Sequence, residues 1–412
     1  MNLQMATTCM CQQNSGYNAP CGYAIVATAN ASSTTNAQQY QTSPGNQCKK
    51  SHKKCGKPDC SKPGCKPTLV CPIPPCPVPR RSVPTWKINY IVSDRINRAA
   101  HVDPDLINPW GIVVFSNQLW IANNGSDTVT NYDLFGNKLL ASVTIRSQDK
   151  TTSFPTGIAI NCGGEFTTSN GSVSRAAIFM VCANQGSVST YNPTVDARST
   201  VVTLNQQELG QVAAFKGIAT VNNQIYLADF YNKQVDVFNS SYVEILPTPF
   251  IDLDTTVPIP SDYGPNNIVY LAPYMYVLWA RQDPNVPISS IDGPGNGFIS
   301  IFNLDGSFVK RFTSQGVLNS PWGMIPAPLE CGFPPGSFMV SNNGDGRINI
   351  FDSQGRFVGP LLNQRGLPII INGIRGLAPY YTNFTEIFFS SSEDERNFGL
   401  VGSFVKDQVI YF

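Results

Sequence analysis

The stretch that decides the fold reads Asn108-Pro-Trp-Gly-Ile-Val-Val, a turn, Gln118-Leu-Trp-Ile-Ala-Asn-Asn-Gly, then Thr128-Val-Thr-Asn-Tyr-Asp and a turn at Gly136. Short apolar runs punctuated by Asn, Asp and Gly are the mark of antiparallel strands joined by tight turns. The order returns. Pro155-Thr-Gly-Ile-Ala opens a second copy, Phe215-Lys-Gly-Ile-Ala a third and Pro265-Asn-Asn-Ile-Val a fourth. Pro321-Trp-Gly-Met-Ile opens a fifth and Ile374-Arg-Gly-Leu-Ala a sixth. The aligned positions Gly111, Gly157, Gly217, Asn267, Gly323 and Gly376 lie about fifty residues apart, the period of a propeller blade. Each copy has three clear strands and a more variable fourth. The predicted fold is all-β, a six-bladed β-propeller with no sustained helical pattern. The glycine near the start of each innermost strand suits a crowded axis where backbones approach closely. Trp86–Val92 is predicted to lend the outer strand of the sixth blade, so that no free edge remains.

Outward from the repeat, the composition changes. Residues 1–85 carry nine Lys/Arg against one acid, a balance of +8, and the remaining 19 bases and 26 acids leave the body at −7. Nine of the twelve cysteines, Cys9, Cys11, Cys21, Cys48, Cys55, Cys60, Cys65, Cys71 and Cys76, fall in that first segment. It is poor in large apolar side chains, so it cannot offset its chain entropy without cross-links or metal. The expected organisation is a largely irregular Cys/Lys/Pro-rich tail over 1–85 and a propeller over 86–412. Cys48, His52, Cys55 and Cys60 are close enough for zinc, but the paired Cys-x-x-Cys spacing of a zinc module is missing. Cys48, Cys55, Cys60, Cys65, Cys71 and Cys76 read instead as a disulfide-linked arm, with the odd count leaving a thiol for the body or another chain. A nucleic-acid arm is the least favoured reading, because no aromatics interleave the lysines. Neither a membrane span nor a conventional signal peptide is evident.

Candidate sites follow from strand geometry. Inner strands start, and second strands end, on one face beside the axis, which gathers Asn123, Asn184, Asp229, Arg281, Asn342 and Ser391. No cofactor is expected; the alternative is Ca²⁺ at the axis, for which Asn123, Asn184, Asp229 and Asn342 supply the oxygen ligands. The plainer reading is that Asn and Asp end these strands by bonding their own backbone. The two histidines, His52 and His101, exclude a His dyad within the blades, and no Gly-x-Ser-x-Gly elbow occurs. His101 reads as a structural hydrogen-bonder before the first blade, and Trp110 and Trp322 as packing near the axis. Sequons at Asn30, Asn124, Asn170, Asn239 and Asn383 permit glycosylation.

His101-Val-Asp-Pro-Asp-Leu-Ile-Asn-Pro-Trp-Gly, Asp292-Gly-Pro-Gly-Asn-Gly-Phe, Leu318-Asn-Ser-Pro-Trp-Gly and Asn343-Gly-Asp-Gly-Arg-Ile-Asn together resemble an uncharacterised family of extracellular-type β-propellers. That family is allied to the NHL-repeat and gluconolactonase-like six-bladed folds. The resemblance spans residues 86–404 and implies the fold and an extracellular habit, but no reaction. Gluconolactonase-like enzymes place metal ligands at the entrance of the inner strands. Here those places hold Asn108, Thr156, Lys216, Asn266, Trp322 and Arg375, none a carboxylate. The Cys-rich arm resembles, in composition, those of surface-fibre proteins of large DNA viruses.

The function expected is a non-catalytic structural or binding propeller on an extracellular or virion surface, with the tail as attachment or cross-linking arm. Its partners through the tail are other copies of itself or other surface proteins, and nucleic acid is not among them. A carbohydrate- or protein-binding module, with glycans as ligands, and a metal-dependent hydrolase or lactonase at the axis around Asp229 are the alternatives.

Overall fold

The computed structural model describes residues 82–411, apart from 147–151, 208–209, 246–248, 329–330, 381–385 and 395–396. The six cysteines of the proposed arm, His52, Asn30 and Asn383 therefore lie outside the described residues. Six blade sheets follow one another along the chain, antiparallel but for two short parallel pairings on the closing strand of the sixth. Blade 1 comprises Pro109–Phe115, Gln118–Asn123, Thr128–Asp133 and Val143–Thr144; blade 2 comprises Pro155–Ile160, Phe179–Ala183, Ser187–Tyr191 and Val201–Asn205. Blade 3 has three strands, Phe215–Val221, Gln224–Asp229 and Gln234–Asn239. Blade 4 comprises Tyr263–Leu271, Tyr274–Arg281, Phe298–Phe302 and Phe308–Ser314; blade 5 comprises Pro321–Pro326, Phe338–Asn342, Ile348–Phe351 and Phe357–Pro360. Blade 6 takes Ile374–Pro379, Glu386–Glu393 and Phe398–Tyr411, and its fourth strand is Ser82–Ser93 from the other end of the chain. The sixth blade thus closes as the repeat implies, with His101–Val102 pairing alongside that last strand. Two elements escaped the repeat: a small hairpin, Thr167–Ser169 with Ser174–Ala176, inserted in blade 2, and Leu362–Asn363, which pairs in parallel with Ser82–Ser93.

Strand alternation sends successive side chains to opposite faces, and in a propeller both faces meet a neighbouring blade. In blade 3, Val235 and Val237 join Tyr263, Met275 and Phe298 of blade 4, whereas Phe238 joins Met180 and Val188 of blade 2. The same division gives one apolar cluster at each of the six blade junctions. No single central core exists. The apolar content is spread around the ring.

The glycines bring the inner strands together. A Cβ at Gly111 would stand 2.8 Å from the backbone N of Ile158, and at Gly157 2.9 Å from the N of Ile218. At Gly323 it would meet the carbonyl oxygen of Arg375 at 2.4 Å, and at Gly376 that of Trp110 at 2.8 Å. Each is the next blade's inner backbone, so these positions are glycine for want of room. Blade 4 departs from the pattern with Asn267, whose Nδ2 donates to Trp322 O at 2.7 Å.

Charge fastens the closure. Glu393 accepts from Arg95 Nη2 at 2.7 Å and Arg98 Nε at 2.8 Å, so blade 6 grips the segment that follows its own closing strand. Burial pushes the Glu393 carboxyl up, but the hydrogen bonds and charge of Arg98 and then Arg95 outweigh it and hold the group below its ordinary 4.5. A depressed folded value means that this stabilisation is present above 4.5 and lost as pH falls through the folded value. Glu393→Gln is expected to cost about 1–3 kcal/mol in urea unfolding at pH 7, with the difference from wild type shrinking in acid. Gly323→Ala, which forces a Cβ against a backbone carbonyl, is expected to cost about 1–3 kcal/mol in the same assay.

Candidate functional site at the propeller axis

A bulge builds the site. In blade 1, Pro109 faces Asn123 but Ile112 faces Ile121, so the inner strand carries one residue more than its partner. The same shift recurs in the other five blades. An extra residue on one strand kinks it and re-aims a side chain. The residues so placed are Trp110, Thr156, Lys216, Asn266, Trp322 and Arg375, and all but Thr156 line a recess of about 70 Å³ at one end of the axis. Asn124, Asn184 and Asn343 from the ends of second strands complete the wall, together with Ile288–Ser290 from the long connection in blade 4. Gln282 holds that connection down, its Nε2 donating to Phe230 O at 2.9 Å and Pro287 O at 2.7 Å.

Among the described residues, two of those lining the recess are cations and none is a carboxylate. Both cations are only 2% exposed. Lys216 Nζ lies 3.4 Å from the centre of the Phe230 ring and donates to Asn266 Oδ1 at 3.3 Å. Arg375 stacks over Trp110 at 4.0 Å and its Nη1 donates to Ser392 Oγ at 2.5 Å. Trp110 and Trp322 meet edge to face, ring centres 6.3 Å apart, as neighbours of the axis. The glycine positions themselves line a second cavity of about 140 Å³, together with aliphatic side chains such as Ile158, Ile268 and Leu377.

The structure sorts the sequence-derived candidates by the strand on which they fall. Asn184 lines the recess. Asn123, Asp229 and Asn342 are fully buried; the Asp229 carboxylate and the two amide nitrogens are hydrogen-bonded, whereas Asn123 Oδ1 and Asn342 Oδ1 are buried without a partner. Asn123 Nδ2 donates to Thr128 and Thr130 of its own blade at 3.1 and 3.0 Å, and Asn342 Nδ2 donates to Val317 O at 2.7 Å. Asp229 Oδ1 accepts from the backbone N of Ala214, Tyr231 and Asn232, so here the turn-forming role is realised. Arg281 pairs with Asp262 at 2.8 Å, and Ser391 Oγ donates to Asn372 O. The reason is register. Pro109 faces Asn123 and Pro321 faces Asn342, whereas Pro155 faces Ala183. The blade equivalents of Asn184 are therefore Asn124 and Asn343, one residue further on, and a one-residue step reverses the side chain.

Two further assignments change. The place in blade 1 equivalent to Lys216 and Arg375 is held by Trp110, not Asn108, whose Oδ1 instead accepts from Trp110 Nε1 at 3.1 Å. Asn124, read as a sequon, is buried with Nδ2 donating to Pro155 O at 3.1 Å and Oδ1 accepting from Asn108 Nδ2 at 2.9 Å, which leaves no space for a glycan. Asn170 is exposed, and Asn239 is half-buried at a turn, its Oδ1 accepting from Ser241 N and Val243 N. Among the described residues no group of three His, Cys, Asp or Glu converges. The signal for the recess was in the text all along: it is the residue immediately before the repeating glycine.

In blade 3 the second and third strands carry a buried acid pair that was not anticipated. Burial and then the charge of Asp229 push the Asp236 carboxyl up to about 7, while Gln234 Nε2 donates to its Oδ1 at 2.7 Å. Burial raises Asp229 as well.

No family model matches the chain. Over 332 residues, 81% of this chain and 83% of the other, it is 60% identical to the uncharacterised protein R648 of Acanthamoeba polyphaga mimivirus. It is 57% identical to the uncharacterised protein L690 of the same virus, again over 332 residues, covering 81% of this chain and 89% of that protein. A solved protein of unknown function from Bacteroides thetaiotaomicron is similar in fold, with a TM-score of 0.52, 13% identity and coverage of 79% of this chain and 77% of that one. The chain belongs to the family of R648 and L690, and among its described residues no helix is long and apolar enough to cross a membrane.

The acid pair sets a pH dependence. A folded pKa of about 7 against an ordinary 3.8 makes Asp236 cost stability progressively as pH rises between those values, because only the unfolded chain sheds its proton there. Asp236→Asn keeps an acceptor for Gln234 and offers Asp229 a donor. It is expected to raise unfolding stability by about 1–3 kcal/mol at pH 8, with the gain vanishing near pH 4.

Proposed function

We propose that this member of a viral protein family is a non-catalytic structural or binding propeller displayed on the surface of the virus particle. Its Cys-rich segment is the attachment or cross-linking arm, and its contacts are with other copies of itself or with other surface proteins. The observation that carries the reading is the joining of two unlike pieces in a chain related to mimivirus proteins. Nine of twelve cysteines and a balance of +8 lie within residues 1–85, ahead of a closed propeller with a net charge of −7. A Cys-dense segment without a core of its own gains order by cross-linking. A propeller suits display, because its radial arrangement leaves only short, protected backbone edges and connections free to vary. Opposite charges on arm and body also favour contact between the arm of one copy and the body of the next.

Extraction of purified particles tests this reading. Detergent alone is expected to leave the protein with the particle, and detergent with a thiol reductant to release it, with disulfide-linked multimers on non-reducing gels. Absence from washed particles, or full release by detergent alone, overturns the proposal. Stoichiometric zinc on reduced Cys48, Cys55 and Cys60 in the native protein does so too, since it makes the arm a metal-folded module.

A further inference from the structure

We infer that the axial recess is a binding site for a small oxyanion, a carboxylate or phosphate group presented by its ligand. Three observations converge on it. The first is charge: Arg375 and Lys216 bring two buried positive groups to the wall of one cavity, whose lining holds no carboxylate. Such a lining repels a divalent cation and attracts an anion, and low-dielectric surroundings strengthen the preference. The second is unspent hydrogen bonding. Trp322 Nε1 and Asn184 Oδ1, on two residues of the same wall, are buried without a partner. Buried polar atoms of native proteins are nearly always satisfied, so a ligand that accepts from the indole, with a water or hydroxyl for the amide oxygen, completes the site. The third is size. At roughly 10–15 Å³ per water on this measure, about 70 Å³ holds some five waters, the bulk of one phosphate or of a carboxylate on a short stem.

The origin of the site is local. The bulge that re-aims Lys216, Asn266, Trp322 and Arg375 toward the axis occurs in every blade, so the fold supplies six inward positions and this chain fills two of them with bases. Ile288–Ser290 forms part of the wall and belongs to a connection that the Gln282 hydrogen bonds hold against blade 3. The ligand therefore enters past that connection, and Ser289 is the place where a single charge can be added without touching a strand.

The test is a thermal-shift and calorimetric titration of the full chain with sodium phosphate, sodium acetate and sodium glucuronate, each against sodium chloride at matched ionic strength. A saturable rise in Tm beyond chloride is expected, from phosphate if the ligand is a phosphate and from acetate or glucuronate if it is a carboxylate. Lys216→Met and Ser289→Glu are each expected to weaken the binding roughly tenfold or more. Where Lys216→Met fails to fold, Ser289→Glu carries the comparison, with circular dichroism confirming its fold. Three results overturn the inference: no oxyanion exceeding chloride, unchanged affinity in a folded variant, or stabilisation by calcium chloride that a chelator reverses.

Discussion

Everything in this molecule depends on how closely six inner strands can stand around one axis. Without a further strand to pair with, each inner strand turns a bare edge of carbonyls and amides toward its neighbours, and buried backbone groups must find partners. The preceding blade supplies donors. Asn124 Nδ2 reaches Pro155 O, Thr156 Oγ1 reaches Phe215 O, Asn266 Nδ2 reaches Pro321 O, and Ser341 Oγ reaches Arg375 O. Ser390 Oγ donates to Trp110 O and so joins the last blade to the first. Short hydroxyl and amide side chains are the right tools, because they bridge a gap that only glycine can leave. The polar, weakly charged composition is in this sense a requirement of the axis as much as of the surface.

Apolar packing works on a different scale. Each junction between blades has its own cluster, built from one face of each of two sheets, and every blade serves two clusters at once. Stabilisation is therefore distributed, and its last share depends on a strand from the opposite end of the chain. Ser93 Oγ donates to Gly399 O at 2.8 Å and Asp94 Oδ1 accepts from Gly399 N at 2.9 Å, just where the arginine clasp on Glu393 begins. Trp86, fully buried, packs the other end of this strand into the cluster shared by blades 5 and 6.

Period and punctuation made the architecture legible, because a blade must spend its residues in a fixed order of strand, turn and strand. The glycine at the axis was readable for the same reason. The ring was read one residue short in four blades, at Asn123, Asp229, Asn342 and Ser391. Strand ends look alike as text, and only the facing residue across the ladder tells inward from outward. Lys216 and Arg375 were visible as residues but noticed chiefly for not being acids. What makes them a feature is a bulge that no pattern of apolar residues announces. The Asp229 and Asp236 pair was hidden for another reason: one acid ends a strand and the other sits within the next, and antiparallel pairing alone brings them near.

The strand Ser82–Ser93 closes the ring, and it is also the first piece of the propeller after the cysteine-rich segment. If the protein is held from that segment, closure and tether are mechanically in series. A load drawn along the strand is borne by its whole ladder to Phe398–Tyr411 and by the Glu393 clasp together, and failure there opens the ring while the covalent chain still holds the body. The side of the ring on which a propeller is tethered therefore decides whether force is felt as traction on a loop or as an attempt to unclose the fold.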